Sequence, residues 1–124
     1  MIDVKNGEYL KLRKVSEDHI SKKLKALLLD DETVIGLYKS VRDYVAFTDK
    51  RVIAVNVQGL TGKSQDFTSM PYKKISVFSI ETAGFFDMDG ELEMYFSGVG
   101  QVRFEFTGAS DILQIGKMIS KYAL

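Results

Sequence analysis

Residues 91–96 and 101–106 alternate between apolar and polar side chains. Leu92, Met94 and Phe96 fall on one parity, and Glu91, Glu93 and Tyr95 on the other. Val102, Phe104 and Phe106 alternate in the same way with Gln101, Arg103 and Glu105. Successive side chains of a strand point to opposite faces. Each segment therefore has one dry face and one wet face, as in an antiparallel sheet covering a core. Ser97-Gly98-Val99-Gly100 joins the two as a hairpin loop.

Upstream, residues 33–40, 44–48 and 52–57 are rich in Val, Ile, Tyr and Phe, as strands prefer. Arg42-Asp43 and Asp49-Lys50 read as their turns, and residues 58–63 as a Gly-rich loop. Residues 65–70 and 76–82 are two more strands, separated by the single proline, Pro71. Lacking a backbone donor, Pro71 belongs outside a central strand. Residues 16–28 have helical spacing, with Ile20, Leu24, Leu27 and Leu28 on one face. Ser16 is placed to cap that helix, and Val15 and Ile20 stand at hydrophobic-staple positions. The acidic turn Asp30-Asp31-Glu32 ends it. Residues 109–124 return to helical spacing. Ile112, Ile115, Ile119 and Tyr122 form a stripe, Ser110 is the N-cap and Asp111 lies in the first turn. Gly116 lies beside the stripe, where it lets the helix approach a sheet.

The chain thus reads as one domain, mainly β with α. An extension (1–14) precedes a helix (15–29), about seven strands (33–107) and a final helix (109–124). Short antiparallel strands in that number predict a curled sheet or partly closed barrel, with the last helix plugging an open end. At 124 residues such a domain buries enough surface to fold without staples. There are 17 basic and 17 acidic residues, which argues against a nucleic-acid partner. The absence of cysteine removes disulfide and thiolate chemistry and suits a cytoplasmic location. Residues 1–14 show no signal-peptide pattern.

No segment reads as a reaction centre, and no cofactor or metal is expected. Gly62-Lys63-Ser64 resembles the end of a P-loop, but Val57 stands where that motif needs glycine, and the following residues look extended. Asp87-Met88-Asp89-Gly90-Glu91, with Glu93, has its glycine too early for an EF-hand loop; Asp89-Gly90 is a favoured hairpin pair. His19, the single histidine, sits on a charged helix surface. Lys50, Arg51, Lys63, Lys73 and Lys74 are candidates for binding an anionic headgroup at a membrane surface, or an acidic partner. Against this, Lys73 and Lys74 read equally as solvated turn charges, and Arg51 as paired with Asp49 or Asp43. Tyr38, Tyr44, Tyr72 and Tyr95, on or near strands, are candidates for an oligomer interface, where aromatic residues are enriched.

Phe47-Thr48-Asp49-Lys50-Arg51, Gln58-Gly59-Leu60-Thr61-Gly62-Lys63, Pro71-Tyr72-Lys73-Lys74-Ile75 and Ile80-Glu81-Thr82-Ala83-Gly84 together resemble the bacterial pleckstrin-homology (PH)-like domain family. The resemblance runs from about the first helix to the end of the chain. It implies a PH-like barrel of two near-orthogonal antiparallel sheets capped by the C-terminal helix. It further implies a bacterial source and a homo-oligomer, a ring and in particular a pentamer. It brings no enzymatic activity. The basic phosphoinositide motif of eukaryotic PH domains is not recognisable. A non-catalytic module that self-associates and binds a protein partner is the expected function.

Overall fold

The computed structural model describes residues 7–82, 90–107 and 112–124. Among the described residues there are eight strands: β1 (Gly7–Val15), β2 (Val34–Lys39), β3 (Tyr44–Thr48), β4 (Arg51–Gln58), β5 (Ser64–Pro71), β6 (Val77–Thr82), β7 (Gly90–Phe96) and β8 (Gly100–Phe106). Two helices join them, α1 (Lys22–Leu27) and α2 (Ile112–Ala123), with 3-10 turns at Glu17–His19 and Tyr72–Lys74. The expected mainly-β fold with a C-terminal helix is the one found. The strand order is β5-β4-β3-β2-β1-β8-β7-β6.

Two expectations are corrected at the N-terminus. Much of the supposed extension is β1, an eighth strand. It pairs antiparallel with β2 through Arg13–Val15 and parallel with β8 through Gly7–Leu12. It thereby joins the β2–β5 and β6–β8 halves, so the pairing is not wholly antiparallel. The switch occurs at an irregularity between Tyr9 and Leu12, where Lys11 has φ 56°. Such a left-handed residue is uncommon outside glycine. The expected first helix is split. Ser16 accepts a hydrogen bond from the Asp18 N–H and caps the 3-10 turn, and Ser21 accepts from the Leu24 N–H and caps α1. A second cap inside the apolar stripe interrupts the helix there.

The main core lies inside the curled sheet. Tyr9, Leu12, Tyr38, Phe47, Leu92, Met94, Phe104 and Phe106 are buried there, closed by Ile112, Ile115 and Ile119 of α2. Tyr9 stacks on Phe104 at 5.5 Å, and Tyr38 meets Phe106 edge-on at 4.9 Å. A second cluster lies on the opposite face of β2–β4. Leu37, Ala46, Ile53 and Val55 pack there against Leu24 of α1 and the half-buried Val15, Ile20 and Leu28. Gly116 performs its expected role: a Cβ built on it would stand 2.9 Å from Ile80 Cγ1, so glycine sets the spacing of α2 and β6.

Pro71 ends β5, a terminal strand. Gly59 and Gly62 have φ of 78° and 69°, as their loop requires. The Ser110 cap, the Asp111 position and residues 83–89, including most of the acidic Asp87–Gly90 turn, lie outside the described residues.

Candidate functional site

The barrel interior is filled with apolar and aromatic side chains, so the candidate sites are surfaces. The outer faces of β6–β8 form one of them. Register places three cross-strand rows there: Val77–Tyr95–Gln101, Ser79–Glu93–Arg103 and Glu81–Glu91–Glu105. Glu8 of β1 extends the middle row beside Arg103. Arg103 Nη2 pairs with Glu91 Oε1, its Nε donates to Glu91 Oε2 at 3.2 Å, and Glu105 lies at 3.6 Å. Tyr95 donates its hydroxyl to Glu93 Oε2 at 2.5 Å, which holds the phenol's pKa above its ordinary value. Val77 stays 56% exposed beside it. The result is an acidic surface with one apolar-aromatic stripe.

The expected interface tyrosines divide. Tyr38 and Tyr72 are core residues, 4% and 1% exposed, and are corrected as surface candidates. Tyr72 donates to the Thr48 carbonyl at 2.7 Å and stacks on Tyr122; burial raises its pKa. Tyr44 lies half-buried over the second cluster, with Lys39 Nζ 5.6 Å from its ring centre. Tyr95 stands on the uncovered outer face of β6–β8. Both faces of β2 are apolar, so sequence parity does not reveal that Tyr38 points inward.

The basic candidates do not converge as one patch. Lys50 and Lys73 line a cleft of about 450 Å³ with Asp49, Pro71 and Tyr122, and Lys50 lies 3.5 Å from Asp31. Lys74 belongs to a neighbouring cleft. Lys63 lies beyond the far end of β4, which is eight residues long, or about 25 Å. Arg51 is committed to the interior. Its Nε and Nη2 donate to Glu32 at 2.9 and 2.8 Å, and its Nη1 to Ser69 Oγ at 3.0 Å. Its partner is thus Glu32, correcting Asp49 or Asp43. Asp49 instead accepts from the Thr33 N–H, and Asp43 from the Val57 N–H.

The side chain of Glu32 is fully buried, and it also accepts from Thr48 Oγ1 at 2.7 Å and from the Leu29 N–H at 3.1 Å. Burial opposes its ionisation, but these bonds prevail and lower its pKa to about 2. Sequence reasoning missed this knot, because Glu32 looked like one acid among three in a turn. It ties the end of α1 to the β3–β4 turn and β5. Tyr9 is also held from within: burial raises its pKa to about 12, and its hydroxyl donates to Asn56 Oδ1 at 2.8 Å. His19 is exposed on its 3-10 turn. Among the described residues no helix is long and apolar enough to cross a membrane.

The bacterial PH domain profile matches residues 3–123. The chain is 45% identical over 103 residues to the uncharacterized protein YjqA of Bacillus subtilis (strain 168), covering 82% of each chain. It is 34% identical to YozO of the same organism, covering 87% of this chain and 93% of that one. Among solved structures it is similar to a DUF1696 family protein with a pleckstrin-homology domain from Shewanella loihica PV-4. The TM-score is 0.78 at 36% identity, over 94% of this chain and 100% of the other. A pleckstrin homology domain from Shewanella amazonensis SB2B gives 0.61 at 44% identity, over 82% and 83%. With this strand order, its closing helix and a match over nearly its whole length, the chain belongs to the bacterial PH domain family.

Proposed function

We infer that the chain is a non-catalytic interaction module of the cytoplasm, which self-associates into a homo-oligomer and presents its outer surfaces to a protein partner. The observation that carries this reading is the packed interior. Phe47, Phe104, Phe106, Tyr9 and Tyr38 occupy the space where a barrel enzyme would hold substrate. What remains for recognition is the outside, where Val77 and Tyr95 form an apolar-aromatic stripe on the β6–β8 face. Aromatic residues flanked by a polar rim suit an interface. A closed ring, pentameric in the form the resemblance implies, joins copies through head-to-tail contacts. Sedimentation over a range of concentrations tests this. The expected mass is a multiple of 14.0 kDa, reduced by Tyr95→Arg; a monomer at every concentration refutes self-association.

The Lys50–Lys73 cleft favours a second reading, capture of an anionic headgroup at a membrane surface. That reading expects salt-sensitive binding to acidic vesicles, weakened by Lys50→Glu with Lys73→Glu. Equal retention on neutral and acidic vesicles removes it.

A further inference from the structure

The two terminal strands of the sheet are not alike. β6 lies against α2, with Ile80 packed on Gly116. Among the described residues β5, like β6, pairs with a strand on one side only; its partner is β4. Beside β5 a cleft of about 380 Å³ separates the strand from the β7–β8 turn. Met70 and Pro71 form one wall; Phe96, Val99 and Val102 form the other. Met70 and Val102 belong to the main core, whereas Val99 is 49% exposed. Among the described residues of the lining, Lys74 is the one that carries a charge. Ser69 also lines the cleft, and its hydroxyl is already engaged by Arg51.

We propose that this seam is a docking slot for an extended, apolar peptide segment of a partner protein, which adds to β5 as a further strand and sets a carboxylate against Lys74. Three features select that occupant. An edge strand is a template for another extended chain. The apolar walls take every second side chain of such a strand. The lone cation favours an acidic side chain or a C-terminal carboxylate at the end of the segment. This proposal rests on the interaction-module reading and names its partner class.

The test uses the full chain, immobilised and panned with a phage library of short random peptides. The expected enrichment is for alternating apolar, β-branched sequences carrying an acidic residue. A recovered peptide, fluorescently labelled, should bind about tenfold more weakly to Val99→Glu and about fivefold more weakly to Lys74→Glu. Both positions are exposed, so both variants should keep the wild-type urea midpoint. Amide shifts on binding should centre on Phe67, Ser69 and Met70. Failure to enrich any sequence over protein-free beads overturns the proposal, as does binding indifferent to both substitutions. Shifts confined to the outer β6–β8 face overturn the seam but leave the interaction-module reading standing. A drop in solution mass for Val99→Glu overturns the partner peptide and places a second copy in the slot. A chain that is monomeric throughout and also enriches no peptide defeats both.

Discussion

The β3–β4 hairpin and the β7–β8 hairpin belong to the same sheet but meet different solvents. In β3–β4, Val45 through Thr48 and Val52 through Val55 are all buried, one face lying on the main core and the other under α1. In β7–β8, burial alternates and the outer face stays wet. The difference is written in residue type. An uninterrupted Val-Ile-Ala-Val run needs cover on both sides, whereas Glu91, Glu93, Arg103 and Glu105 repay no cover at all. Packing on both faces thus fixes the first hairpin, whereas the second keeps one face in water.

Ile53 and Tyr95 both sit on outer faces, which makes them the sharpest pair for breaking this comparison. Ile53→Asp puts a charge where the side chain is 0% exposed and should unfold the protein or cost more than about 4 kcal/mol. Tyr95→Ser should stay within about 1 kcal/mol. Urea denaturation of both variants decides. Similar losses would mean that the N-terminal segment does not cover the first sheet.

Glu32→Gln ranks next. It removes a buried partner of Arg51 and should cost on the order of 3 kcal/mol at neutral pH. The folded pKa, about 2, lies below the ordinary 4.5. The carboxylate's contribution is therefore complete above pH 4.5 and is lost as pH falls towards 2. The wild type should lose stability over that window, and the variant should show a flatter acid limb. An unchanged acid limb would mean that Glu32 is not held ionised.

Gly116→Ala probes how the inner face of the second half is closed. Alanine gains about 1 kcal/mol of helix propensity, but its Cβ would stand 2.9 Å from Ile80 Cγ1. Overpacking costs about 1–3 kcal/mol, so the net effect should be a loss of about 1 kcal/mol. In an Ile80→Ala background the same change should become stabilising. A double-mutant cycle without that sign reversal would sever α2 from β6.

The same contrast explains what was legible in advance. The alternation at 91–96 and 101–106 and the unbroken runs at 44–48 and 52–57 each point to strands, and those strands are present. The stripe of Ile112, Ile115 and Ile119 likewise lies on the core. β1 escaped notice because its inward residues, Tyr9 and Leu12, are three apart. The kink at Lys11 absorbs the extra residue and so erases the period of two. Surface candidates were harder to place, since tyrosine suits a core as well as an interface. The basic residues looked like a group only because sequence does not show that Lys63 and Lys50 flank opposite ends of β4 or that Arg51 turns inward to Glu32.

The smallest expected effect separates wet from dry most finely. On the outer face Glu91 stands opposite both Glu81 and Glu105, and Glu93 and Glu8 flank Arg103. Arg103 is the single cation in these rows. Arg103→Gln leaves like charges facing one another, which is unfavourable across strands. Solvent screens such contacts, so the loss should be about 0.5–1 kcal/mol at low salt. At about 1 M salt the Debye length is about 3 Å, and the difference from wild type should vanish. The Glu32→Gln deficit, arising in a buried knot, should persist in the same buffer. Matched urea titrations at low and high salt read both. If Arg103→Gln kept its deficit at high salt, the outer face would be drier than its exposure implies, and the division between the two hairpins would lose its basis.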